Sequence, residues 1–275
     1  MFEKKPKALH TILESRFAVE ALAHLSSKPF ERLLPRGDGH PVLVIPAFLT
    51  SDAFTASLRK SLSRLGYDVH AWQQGLNTGL HDNKLVLLRR HLKEIVLQRQ
   101  QKITIIGWSL GGIYARALAA QNSDHVRQVI TLGSPFGIPV SERRSDAVQG
   151  LVSQAFQLLN RGAEDPMVAK ATLWQETPAV PCTSIYTESD GIVHWHYCVD
   201  QKHSQSENIR VPGSHMGLTH NPAVLYLLAD RLQQRAESWQ AFSARGWRER
   251  LYHNQVCAKA IELAEASAAR QALPA

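Results

Sequence analysis

One segment constrains the fold more than any other. Ile103-Thr104-Ile105-Ile106 is an apolar run with the character of a buried strand. It leads straight into Gly107-Trp108-Ser109-Leu110-Gly111-Gly112, and Leu110 to Gln121 then reads as a helix. A strand that gives way to a helix this abruptly leaves no room for side chains beside the turn. Glycine at 107 and 111 answers that need. The serine at the tip is then held in a strained backbone conformation. The start of the following helix adds a positive dipole end beside it. Ser109 is therefore the candidate nucleophile. The structural alternative is a glycine-rich turn carrying an idle serine.

The flanking sequence supplies a sheet for such a turn. Pro41 to Pro46 reads as a short buried strand and Ser51 to Leu65 as a helix, with Ser51 or Asp52 as its N-cap and Gly66 as its stop. Tyr67 to Trp72 is a strand candidate, and Asp82 to Gln101 a helix with Leu85, Leu88, Leu92, Ile95 and Val96 along one face. Lys102 to Ile106, Val126 to Leu132, Cys182 to Thr187 and Asn208 to Val211 read as further strands. Pro222 to Gln240 reads as a long closing helix. Strands alternating with helices imply an α/β fold, with a mostly parallel central sheet covered by helices on both faces. The rhythm breaks between Gly133 and Pro181, where the helical pattern of Val148 to Leu159 fits a small inserted cap. The expected organisation is an N-terminal helical segment (1–34), a main domain (35–240) with a cap at 135–180, and a C-terminal helical extension (241–275).

A serine hydroxyl is a poor nucleophile without a histidine base, and that base needs an acid to hold its tautomer. Both should follow Ser109, at the ends of later strands. Ile185-Tyr186-Thr187-Glu188-Ser189-Asp190-Gly191 ends a strand in an Asp-Gly turn, which makes Asp190 the candidate acid and Glu188 its competitor. Val211-Pro212-Gly213-Ser214-His215 follows the last strand, which makes His215 the candidate base. The chain has 13 histidines, and His194, His196, His203 and His220 are the nearby alternatives. The backbone N–H groups of Leu110 and Phe48 are the expected oxyanion donors. Trp108, with Phe48 and Trp174, is expected to line a hydrophobic substrate pocket. A core role is the commoner fate of such aromatics.

The residues Val42 to Leu49, Gly107 to Gly112, Ser189 to Val193 and Gly213 to His215 together resemble the α/β-hydrolase superfamily, in particular its small bacterial lipase-like and esterase-like members. The resemblance covers roughly Pro41 to Leu232. It implies the α/β-hydrolase fold, hydrolysis of carboxylic or lipid-like acyl esters through an acyl-enzyme, and no metal or organic cofactor. Acyl transfer by the same intermediate, or a non-catalytic binding role of the fold, are the alternatives. One departure stands out: the oxyanion loop reads Pro46-Ala47-Phe48, where such proteins carry glycine before the donor. Alanine fits there only if its φ is negative or the loop is displaced.

Composition narrows the partners. The formal net charge of +7 suits an anionic surface or an acidic substrate, or is simply a basic surface. No basic stripe interleaved with aromatics suggests nucleic acid. Three scattered cysteines suit a reducing compartment, and with no secretory signal pattern and no apolar run of membrane-span length the expected location is cytoplasmic. Leu9, Ile12, Leu13, Phe17, Leu22 and Leu25 recur at roughly helical spacing behind Lys4, Lys5 and Lys7. That pattern fits either a helix packed on the domain edge or one in peripheral contact with the inner face of a membrane.

Overall fold

A computed structural model describes residue 6 and residues 8–138, 150–159, 172–200, 204–235 and 238–252. Its strands are β1 (Pro41–Ile45), β2 (Asp68–Ala71), β3 (Ile103–Trp108), β4 (Val126–Leu132), β5 (Cys182–Tyr186) and β6 (Ser206–Arg210). They form one sheet in the order β2-β1-β3-β4-β5-β6, with every neighbouring pair parallel. Every residue of β1, β3 and β5 is buried, as expected of a parallel sheet covered on both faces.

The covering helices are α3 (Asp52–Arg64), α4 (Asp82–Arg99), α5 (Leu110–Gln121) and α8 (Pro222–Leu232). Strand side chains alternate between faces, and β1 shows where each helix goes. Leu43 and Ile45 pack with Leu88 and Leu92 of α4 and Tyr114 and Leu118 of α5. Val42 and Val44 pack on the other face with Leu58 and Leu62 of α3 and Val224 and Leu228 of α8. The chain leaves β1 for β2 on one side and later returns to place β3 on its other side. Such a reversal opens a crevice at the carboxyl ends of the strands. The loop after β1 and the serine turn after β3 both lie there.

Several boundaries differ from the sequence reading. The closing helix stops at Leu232 rather than Gln240. The cause is a fold-back: Arg231 donates to the Gln240 carbonyl at 2.7 Å, and the Phe242 amide donates to the buried Glu207 carboxylate at 2.6 Å. Of the expected C-terminal helical extension (241–275), a short 3₁₀ turn, Gly246–Arg250, is described, and residues 253–275 lie outside the described set. Within the expected cap, α6 (Gly150–Leu159) and α7 (Thr172–Gln175) are described, while residues 139–149 and 160–171 are not. Ser51 occupies the N-cap of α3 without a side-chain bond. The Asp52 carboxylate is used otherwise, accepting the Trp72 and Gln73 amides at 3.0 Å each.

The helix behind the serine turn is fixed by a buried ion pair. Arg116 of α5 meets Asp200 at 2.7 Å, with both side chains at most 2% exposed. Its other N–H groups reach the carbonyls of Trp174 and Glu176, and its guanidinium lies 3.9 Å from the centre of the Phe136 ring. Arg116→Ala leaves Asp200 charged and buried with only hydrogen-bonding neighbours. A loss of about 3–5 kcal/mol of unfolding free energy is expected, read from the urea midpoint.

Candidate active site

The serine turn forms as its glycines require. A Cβ on Gly107 would collide with the backbone of Gly111 and Gly112, and one on Gly111 with the carbonyls of Ile45 and Pro46. Glycine thus lets α5 start against the ends of both β3 and β1. Ser109 takes φ 52° and ψ −120°, a conformation costing about 1–3 kcal/mol for a residue with a Cβ. Its amide donates to the Leu132 carbonyl at 2.8 Å, which ties the turn to the end of β4.

Asp190 and His215 meet directly. The His215 Nδ1 lies 2.6 Å from Asp190 Oδ2, and both side chains are buried. The second carboxylate oxygen accepts the Ile192 and Val193 amides at 2.8 and 2.7 Å. That leaves the carboxylate oriented and the Nε2 face of the imidazole available. Glu188 turns away and pairs with Arg210 at 2.6 Å on the surface. Burial alone would push the His215 pKa down. The Asp190 charge and hydrogen bond, helped by the Glu14 charge, more than offset it and leave the pKa above the ordinary histidine value.

The imidazole lies over Gly133, the residue after β4. A Cβ there would stand 3.1 Å from His215 Nδ1. Because Ser109 is bound to Leu132, the residue before, serine and histidine come to the same strand end. The Ser109 hydroxyl itself forms no hydrogen bond among the described residues. Catalytic bonds of this kind commonly tighten only around substrate.

The loop after β1, the candidate oxyanion loop, accommodates its missing glycine locally. Ala47 does not take a positive φ; Leu49 does, at 58°. The buried Asn77 braces the loop, its side chain donating to the Pro46 carbonyl at 2.8 Å and its own carbonyl accepting the Leu49 amide at 2.7 Å. The Phe48 amide has no acceptor among the described residues. The Leu110 amide opens a helix, where no intrahelical carbonyl can take it. The Phe48 ring packs on Phe156 of α6, centroids 5.2 Å apart.

Trp108 corrects the sequence reading. It is 1% exposed, and its indole N–H donates to the His215 carbonyl at 3.2 Å. It supports the histidine loop from within the core and does not line a pocket. Trp174 is likewise buried in the core. A cavity of about 560 Å³ lies behind the acid loop, lined by His10, Asp190, His194, Arg210 and Arg250 among others, but not by Ser109, His215 or Phe48.

The largest surprise is the N-terminal segment, α1 (Ala8–Leu13) and α2 (Phe17–Ser27) joined by a 3₁₀ turn. It reaches both the Asp190 loop and the His215 loop through polar side chains. Glu14 accepts the amides of Gly191 at 2.8 Å and of His215 and Met216 at 3.0 Å each. Glu20 accepts the Ser214 amide and hydroxyl at 2.8 and 2.7 Å. Arg16 donates to the Ser189 and Gly213 carbonyls. Gly191 does not have a positive φ; its missing Cβ makes room for the backbone of His10 and Thr11.

Comparison with known proteins agrees with this architecture. A family model described as alpha/beta hydrolase fold matches residues 86–157, which include the serine turn. Aspergillus fumigatus lipase B superposes with a TM-score of 0.54 at 19% identity, over 71% of this chain and 53% of that one. The chain has the α/β-hydrolase fold. It spans only about half the length of that lipase. An alpha/beta superfamily hydrolase from Oenococcus oeni PSU-1 superposes on the same hydrolase fold with a TM-score of 0.50 at 14% identity, over 74% and 94% of the two chains. No curated protein matches in sequence.

Proposed function

We propose that this chain is a serine hydrolase of carboxylic esters. The observation that carries the reading is the buried Asp190–His215 pair, held at the strand end that also anchors a strained, glycine-flanked serine. In this mechanism Ser109 Oγ attacks the ester carbonyl while His215 Nε2 takes its proton. The oxyanion is held by the Phe48 and Leu110 amides. The intermediate collapses, and the departing alcohol takes the proton from His215. Water then attacks the acyl-enzyme, with His215 again the base, and the acid leaves as Ser109 regains its proton. Asp190 orients His215 and stabilises the imidazolium. The Phe48–Phe156 pair at the loop favours an acyl group with an apolar chain.

A fluorophosphonate probe tests the reading without a variant. The native chain is expected to take one label, mapped by mass spectrometry to the peptide carrying Ser109, and heat-denatured chain none. An intact fold with no label would instead mark a binding module. Adding a competing alcohol to an ester assay separates hydrolysis from acyl transfer by its products.

A further inference from the structure

The inner face of the N-terminal segment grips the catalytic loops, but its outer face has no such partner. Ile12, Ser15, Val19, Leu22 and Ser26 recur at intervals of three and four residues, and all are exposed. Leu9, Ile12, Val19 and Leu22 here, with Phe30 and Leu33 just beyond, are each between 62% and 77% exposed. Single exposed apolar residues are ordinary, but a sustained row of large ones marks an interaction surface.

The charges of the segment are sorted by face. Between residues 8 and 37 there are three carboxylates, and all are turned into the protein. Glu14 and Glu20 bind the catalytic loops, and the buried Glu31 binds Ser61 and Arg64. The exposed charges of the same stretch, Lys28, Arg32 and Arg36, are all cations. The sequence just before it adds Lys4, Lys5 and Lys7. An apolar row bordered mostly by positive charge, with Glu3 in the flanking sequence and the exposed Asp38 paired with Arg127, is complementary to an anionic lipid bilayer, where apolar side chains enter the acyl boundary and cations meet the headgroups. A second copy of this chain would bring the same positive charge against itself. No helix among the described residues is long and apolar enough to cross a membrane, so the contact would be peripheral.

We infer that the outer face of residues 9–33 docks this protein on an anionic lipid surface. Docking there would set the acid and base loops about one helix diameter, ~10–12 Å, from the bilayer. On the reading of the site as an ester hydrolase, that proximity would favour substrates drawn from the membrane. The docking itself does not depend on that reading.

The test is flotation of the full chain with vesicles of phosphatidylcholine alone or with phosphatidylserine added. Deleting the segment would be uninformative, because Glu14 and Glu20 would go with it. The informative variant is Ile12→Ser/Val19→Ser/Leu22→Ser, which alters only exposed side chains. Wild type is expected to float with the anionic vesicles and to be released by 0.5 M salt. The triple variant is expected to bind at least ~10-fold more weakly, with unchanged circular dichroism and fluorophosphonate labelling. Absence of wild-type flotation, or flotation that the triple substitution leaves unchanged, overturns the proposal. So does a sedimentation mass that falls from dimer to monomer in the triple variant without any vesicle binding, since the face would then meet a second copy. Labelling is read separately, so loss of the hydrolase assignment would not be mistaken for loss of docking.

Discussion

Replacing Ser109 with alanine is expected to lower kcat on p-nitrophenyl butyrate by ~10³-fold or more, leaving KM and the urea midpoint little changed. The size follows from removing the group that forms the covalent intermediate, where loss of one triad member forfeits most of the catalysis. The small effect on stability has its own reason. The Ser109 hydroxyl has no hydrogen bond to lose among the described residues, and alanine keeps the Cβ that strains the turn. Glycine at the same position would be equally inactive but should raise stability, because it relieves the cost of φ 52°. The measurements are steady-state kinetics and urea melts on all three proteins. Full activity in the alanine variant would end the assignment of Ser109.

Glu14 carries the next largest expected effect, although it lies far from Ser109 in sequence. Its carboxylate accepts amides from both the acid loop and the base loop, so Glu14→Ala leaves three donors without their acceptor. Each unsatisfied buried donor costs ~1–3 kcal/mol. Loosening the two loops by a fraction of an ångström is expected to lower kcat by ~10–100-fold. The pH profile distinguishes an electrostatic role from a purely structural one. His215 works as a base only when neutral, so kcat/KM rises as pH climbs through its pKa. That pKa stands above 6.5 because the Asp190 and Glu14 charges outweigh burial. Glu14→Gln removes one of those charges, so the acid limb should move to lower pH. The linked stability has the opposite sense. With a raised folded pKa, the His215 contribution to stability is complete below about 6.5 and fades as pH rises through the folded value. In the Gln variant that contribution should shrink. A Glu14→Gln profile that overlays the wild type in both height and position would refute the role.

The parts that could be read from sequence are those whose causes are local. The serine turn rests on consecutive residues, and the glycines at 107 and 111 exclude side chains from contacts a few positions away. The strands flanking it were legible because parallel strands are continuous apolar runs. Asp190 is separable from Glu188 in the sequence because it sits in the Asp-Gly turn while Glu188 is closer to the strand; in the structure Glu188 pairs with Arg210 instead. What could not be read depends on distant partners. Nothing near Glu14 announces that it will meet amides about 200 residues later; the nearest hint is a carboxylate lodged in an otherwise apolar helical pattern. The same limit explains the first helix. The apolar spacing of Leu9, Ile12, Leu13, Phe17, Leu22 and Leu25 fits either packing on the domain edge or contact with a membrane; all of these but Leu13 are exposed, and polar side chains of the segment hold the loops. The closing helix was read too long because its end is set by Gln240 and Phe242 folding back, not by a local breaker. The alanine in the oxyanion loop looked like a defect, yet the backbone moves the positive φ to Leu49 and braces the turn with Asn77.

The bond between Glu14 and His215 also imposes an order in time. The two are separated by 201 positions, so the segment that steadies the base leaves the ribosome long before the base exists. At about 5–20 residues per second, that interval is on the order of 10–40 seconds. During it, carboxylates destined for burial have only water for company, and the apolar row beside them lies open to chaperones or to lipid. The His215 loop can therefore take its final place only late, when it closes onto a turn that was made 201 residues earlier.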